Sequence, residues 1–165
     1  MMFAKLYGLE TVGLRYFNVF GPRQSLENKY AVVVPKFITS LLAGEPPPIH
    51  GDGKQTRDFT YVENVVQANL RAAKAKGVSG QVFNVASGVT HSVLDLTRLL
   101  NGELGLRIKP KILPPRRGDV RHTWADIGKA KRLLGYRAAV GFEEGLSRTV
   151  DWFEGHHEVW NGKGN

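Results

Sequence analysis

The sequence predicts an α/β fold, read as a single unit over residues 1–165, and three observations carry the prediction. Short apolar segments of strand length, such as TVGLRYF and QVFNVA, recur along the chain. Between them lie longer stretches whose apolar residues repeat at helical spacing. Glycine and proline clusters punctuate the changes from one to the other. Strands that alternate with helices in this way favour a mixed architecture over an all-α or all-β one.

Taken in order, residues 3–9 read as the last turns of a helix closed by Gly8, since glycine readily takes the left-handed conformation. A strand over residues 11–17 follows, carrying Val12, Leu14 and Tyr16. Residues 32–43 read as a helix in spite of a valine-rich start, and Pro35 fits only in its first turn. Gly44 and the run Pro46, Pro47, Pro48 end it. Ile49 and His50 then form a short extended piece before the turn-rich GDGKQ. Residues 58–62 read as another short strand feeding a helix over 63–76, whose Val65, Val66, Ala68, Leu70 and Ala73 make an apolar stripe.

QVFNVA, residues 81–86, reads as a short buried strand. The clearest helix covers residues 92–104: Ser92 and Asp95 stand in capping-box spacing, and Leu94, Leu96, Leu99 and Leu100 supply the apolar face. Residues 107–113 alternate basic and apolar side chains in strand fashion, and the loop PPRRGDVRH follows. Asp126 can cap a helix running to Leu134 and stopped at Gly135. A last helix covers 142–154, where Phe142, Leu146, Val150 and Phe153 recur near one helical turn. The tail HHEVWNGKGN reads as frayed, and its paired histidines lack a convincing set of metal ligands.

Composition narrows the function. Hydrophobic content of 42% with 23% charged residues is that of a soluble globular protein rather than a disordered tail. The apolar runs fall far short of the roughly 20 residues a membrane-spanning helix needs. No signal peptide is visible, and with no cysteine in the chain, disulfides and thiolate metal sites are excluded; a cytoplasmic location is expected. A formal charge of +8 suits an anionic partner such as nucleic acid, a membrane surface or a phosphorylated substrate, and equally a plain solvated surface. No run of five or more like charges marks a basic arm, and no nucleic-acid motif is present.

The usual catalytic signatures are absent as well. There is no Gly-x-Ser-x-Gly elbow and no His-Glu-x-x-His, and Gly51-Asp52-Gly53 sits in a turn that does not open a helix. What stands out is a set of polar residues beside short apolar strands: Asn18, Arg57, Asn84 and Arg116. An amide within an apolar strand is unfavourable unless it is satisfied. Singly, each has a structural explanation: Asn84 could bind neighbouring backbone, and Arg57 could pair with Asp58 or Asp52. Together, two arginines and two amides at element ends describe a pocket for an anionic, oxygen-rich ligand, because guanidinium groups bind phosphate bidentately.

Four ordered segments, RYFNVFGPRQ, PPIHGDGKQTRDFTYVENVVQAN, QVFNVASG and RRGDVRHTWADIGKAKRLLGY, resemble the extended short-chain dehydrogenase/reductase enzymes that act on nucleotide sugars. Within that NAD-dependent epimerase/dehydratase group the chain is most similar to UDP-sugar 4-epimerases, and the resemblance covers roughly residues 6–153. It implies the C-terminal part of an extended Rossmann-type enzyme: a small mixed α/β substrate-binding domain with remnant parallel strands. By motif, Phe17 lies beside the nicotinamide and Asn18 contacts the substrate diphosphate. Val32 and Val33 line the sugar pocket, and Ile49 and His50 match a strand whose backbone reads uracil. Arg57 and Arg116 clamp the diphosphate, Asp119 binds a ribose hydroxyl, and Asn84 fills a further pocket position.

The family mechanism takes a hydride from C4 to NAD, rotates the 4-keto intermediate and returns the hydride to the opposite face. Its Gly-x-x-Gly-x-x-Gly loop and Tyr-x-x-x-Lys pair do not occur in these residues, and His50 stands where an aromatic ring is frequent. The resemblance therefore implies the UDP-sugar-binding half of an NAD-dependent 4-epimerase, an isomerase, without its NAD-binding half and without turnover on its own. A 4,6-dehydratase, a UDP-glucuronate decarboxylase or a non-catalytic nucleotide-sugar binder are the alternatives. No nucleic-acid or membrane partner is expected. A homodimer is expected for the full-length family enzyme, and apolar surface is expected to be exposed beside the first strand.

Overall fold

The computed structural model describes residues 2–26 and 33–161. Helix α1 (Met2–Tyr7) ends at Gly8, whose φ of +66° closes it as expected. Strand β1 (Val12–Tyr16) pairs in parallel with β6 (Gln81–Val85), in a register that sets Arg15 opposite Asn84 and Tyr16 opposite Val85. The chain then changes partners. Phe17 still donates its N–H to the carbonyl of Val85, but β2 (Val19–Phe20) pairs in parallel with β5 (Thr60–Tyr61). Asn18 sits at the change, at a φ of +36° that non-glycine residues seldom adopt.

Helix α2 (Val33–Leu42) carries Pro35 in its first turn, where a missing N–H costs nothing. Strand β3 (Pro48–His50) pairs in parallel with β8 (Lys111–Leu113). The expected strand over 107–113 thus shrinks to its last three residues, because only those have a backbone partner in β3. The single strand expected over 58–62 is instead confined to Thr60–Tyr61, and a separate short strand precedes it. Thr56–Arg57 forms β4, antiparallel to β7 (His91–Ser92), and Thr60–Tyr61 forms β5. Asp58 divides them because its carboxylate turns inward to collect backbone N–H groups rather than extending a ladder.

Helix α3 (Val62–Lys74) begins one residue early and ends two early. Helix α4 (Val93–Glu103) has the full capping box, with the Ser92 hydroxyl accepting from the Asp95 N–H and the Asp95 carboxylate accepting from the Ser92 N–H. Helix α5 (Gly128–Leu134) starts where Asp126 accepts from the Gly128 N–H at 2.7 Å, and left-handed Gly135 stops it. Helix α6 (Phe142–Gly155) is followed by α7 (His157–Asn161), so the tail is not frayed over these residues: the Trp160 indole N–H donates to the Phe153 carbonyl and folds the chain back.

Two apolar cores result. The larger packs α2, α4 and α6 together over Phe20, Ile49, Phe59 and Tyr61. The smaller sets α3 and α5 on the β1–β6 pair, around Phe83, Val85, Ala130 and Tyr136. Fully buried Asn64 crosses between them, its amide donating to the Val140 carbonyl and accepting the Val140 N–H. Helix α1 contributes to neither core: Met2, Phe3, Leu6 and Tyr7 are all at least 60% exposed, and on β1 itself Tyr16 is exposed.

Candidate ligand-binding site

The change of partners at Asn18 has a local consequence: β1 delivers the chain from the smaller core to a cavity on the larger one. The cavity holds about 470 Å3, within the range of small-molecule sites. Asn18 lies at its floor with Phe20 and Phe59, and α2 supplies one wall through Val33, Lys36 and Phe37. The end of β3, Ile49 and His50, supplies another. Gln55 and Arg57 enter from β4 and the turn before it, and the segment Arg116–Asp119 closes the remaining side.

Asn18, Val33, Ile49, His50, Arg57, Arg116 and Asp119, up to 101 positions apart in sequence, therefore meet at one cavity. Val32 lies outside the described residues. Asn84 does not reach the cavity: its Nδ2 donates to the Asp126 carbonyl at 3.1 Å, the backbone role that its place in an apolar strand allowed. Phe17 also stays outside and packs against the smaller core.

The Arg57 guanidinium is held on three sides. Nη1 donates to the carbonyls of Thr56 and Arg121, and Nη2 donates to Asp119 Oδ1 at 2.5 Å. Neither Asp58 nor Asp52 is its partner. Asp52 instead pairs with Arg121 at 3.0 Å and accepts the Lys54 N–H, and that hydrogen bond, followed by Arg121, holds its carboxyl below the usual range. The turn carrying it needs glycine at 53, because a Cβ there would lie 2.7 Å from Leu94 Cγ. The imidazole of His50 sits 3.1 Å from the Pro114 carbonyl through Nδ1, and the Gln55 amide donates to the His50 carbonyl at 2.8 Å. The 114–119 segment is thus pinned at both ends to the strands that line the cavity.

Four cationic side chains, Lys36, Arg57, Arg116 and Arg117, face this space against a single carboxylate, Asp119. Arg116 and Arg117 form no ion pair among the described residues. Such a lining attracts anions, and the planar forks of arginine suit phosphate. Lys36, Gln55 and Arg117 were not singled out from sequence. Lys36 stands three residues beyond Val33 and so shares its helix face. Arg117 adjoins Arg116.

No glycine-rich turn links a strand to a helix N-terminus among the described residues, and Phe17 is the one position that the resemblance assigns to a dinucleotide cofactor. Nor do the described residues contain a cluster of three or more metal-ligating side chains, or a helix long and apolar enough to cross a membrane.

Known proteins share this fold. The chain is 40% identical over 152 residues to the UDP-glucose 4-epimerase of Mycolicibacterium smegmatis, covering 92% of this chain and 48% of that protein. It superimposes with a TM-score of 0.89 on the crystal structure of UDP-glucose 4-epimerase from Thermotoga maritima with UDP-glucose, at 43% identity, over 95% of this chain and 50% of that one. For UDP-N-acetylglucosamine 4-epimerase from Methanobrevibacter ruminantium M1, solved with UDP-N-acetylmuramic acid, the TM-score is 0.88 at 42% identity, over 94% and 49%. The chain thus spans about half the length of the relatives it matches. With a family model also matching residues 2–86, just over half of the sequence, the chain belongs to the NAD dependent epimerase/dehydratase family.

Proposed function

We propose that this chain is the nucleotide-sugar-holding part of an NAD-dependent UDP-sugar 4-epimerase. The observation that carries the reading is the meeting of Arg57, Arg116, Asp119, Asn18 and the end of β3 at one cavity with three surplus positive charges. The two arginines take the diphosphate, whose oxygens match their forks. Asp119 accepts from a ribose hydroxyl, and the backbone at Ile49 and His50 offers donors and acceptors to a flat base. Val33 and Phe37 leave an apolar surface for the sugar, and Asn18, whose Nδ2 donates to the Asp58 carbonyl and Thr123 Oγ1, keeps Oδ1 at the floor for a ligand hydroxyl rather than for the diphosphate. Phe17, at the end of β1, is assigned to the nicotinamide side.

The hydride and proton transfers need groups that these residues do not supply, so the role of the chain is binding and orientation. UDP-galactose supplied with NAD to this chain alone is expected to yield no UDP-glucose. The primary test is thermal: UDP in excess is expected to raise the melting temperature by mass action on the folded state, and more strongly than UMP. A melting temperature indifferent to UDP at millimolar concentration would sink the reading. If a nucleic acid were the partner instead, binding would fall steeply with added salt and UDP would not compete for it.

A further inference from the structure

The cavity floor depends on a residue that does not line it. Asp58 is fully buried and forms no ion pair among the described residues. Its carboxylate gathers backbone N–H groups from two distant turns: Ser87 at 2.9 Å, Gly88 at 3.2 Å and Ala125 at 3.3 Å, with the Ser87 hydroxyl at 2.6 Å. Four donors on two oxygens satisfy a group that would otherwise be costly to bury. The same residue presents its carbonyl to the Asn18 Nδ2 at 3.1 Å. The second acceptor of Asn18, Thr123 Oγ1 at 3.4 Å, belongs to the 123–125 segment that the carboxylate fastens through Ala125. One acceptor of the Asn18 amide is thus the Asp58 carbonyl itself, and the other lies in a segment that Asp58 holds through Ala125 and that the Thr56 carbonyl holds through the Thr123 N–H at 3.1 Å. Asn18 needs such a hold, because its φ of +36° is a conformation the backbone does not keep unaided.

We infer that Asp58 is a positioning residue for the floor of the cavity, acting through Asn18: with both Nδ2 protons committed to the Asp58 carbonyl and Thr123, the amide keeps Oδ1 to accept from a ligand hydroxyl. The inference rests on the proposed nucleotide-sugar site. Asp58→Asn is the informative change, because an amide has only one acceptor oxygen and would turn its NH2 towards the N–H groups of Gly88 and Ala125.

Two readouts on the 165-residue chain test it. In a nitrogen-15 spectrum, the side-chain amide signals of Asn18 should be dispersed in the wild type and collapse towards free-amide positions in D58N, with no ligand needed. By calorimetry, D58N should weaken UDP binding about tenfold, as a sub-ångström displacement of a positioned group does. In an N18A background the same change should cost less than about twofold, since the intermediary is already gone. Unmoved Asn18 signals, unchanged UDP affinity in D58N, or an equal loss with and without Asn18, would each overturn the inference and leave Asp58 a purely structural acid. Should D58N fail to fold, Ser87→Ala removes one donor and is held to the same two readouts. If wild-type chain does not bind UDP, the site reading fails while the Asn18 signals still judge Asp58.

Discussion

Arg57 and Asp119 stand 62 positions apart in sequence and meet across the cavity mouth, Nη2 to Oδ1 at 2.5 Å, with side chains 16% and 36% exposed. The pair joins β4 to the 116–119 turn and leaves the guanidinium pointed along the cavity wall. An arginine so placed contributes charge and a fixed direction together.

Arg57→Ala is therefore expected to weaken UDP binding by about 2 kcal/mol, roughly thirtyfold, the usual scale for hydrogen bonds to charged groups. Arg57→Lys keeps the charge without the fork and should recover only part of that. Titration calorimetry at fixed salt measures both. A full recovery by lysine would show that direction does not matter.

The capping box of α4 gives a stability prediction. Ser92→Ala should cost about 1 kcal/mol in urea denaturation at neutral pH. The hydrogen bond from the Ser92 hydroxyl is the first cause of Asp95 titrating below its ordinary 3.8. A carboxyl depressed in the fold stabilises above its unfolded pKa, and that stability is lost as pH falls through the folded value. The variant should thus show a shallower loss of stability below about pH 4 than the wild type.

Tyr136 predicts the opposite limb. Burial, helped by the nearby Asp58 charge, pushes its phenol from 10.0 up to about 12. A raised pKa means that stability is intact below pH 10 and lost as pH climbs to about 12, by about 3 kcal/mol in total. Tyr136→Phe should flatten this alkaline limb. It should also lower stability at neutral pH by about 1 kcal/mol, because the Ala86 carbonyl loses its donor at 2.9 Å.

Gly145 lies inside α6, where alanine would normally gain about 1 kcal/mol of helix propensity. A Cβ there would sit 2.9 Å from Tyr61 and 3.0 Å from Phe20, two rings locked in the larger core. Overpacking typically costs about 1–3 kcal/mol, so Gly145→Ala is expected to lower the melting temperature despite the better helix former. A rise would show that the two rings can shift.

Much of this was legible in the sequence, for reasons that differ by element. Helix α4 announced itself because its cap and its leucine face are local signals, and α6 did so through its period. The two-residue strands β2, β4, β5 and β7 carry no such signal: their partners are chosen by tertiary contacts. Asp58 was hidden for the same reason. Nothing in RDFTY says that an acid will bury itself against two turns some 30 and 67 positions away. The cavity residues were found by resemblance and by chemistry at strand ends. Asn84 shows the limit of that argument, since an amide in a strand is as well satisfied by backbone as by a ligand. The tail misled because a frayed reading ignores what one tryptophan can anchor.

The division into two cores bears on how the molecule opens. Segments that share few apolar contacts exchange their amide protons as separate cooperative units. The β1–β6 pair with α3 and α5 forms one such unit, and the three-helix layer of α2, α4 and α6 forms the other. The cavity lies on the second unit and touches the first through Val19, next to the buried Phe20. An occupant would tie two foldons into one, so hydrogen exchange that is biphasic without it would become uniform with it.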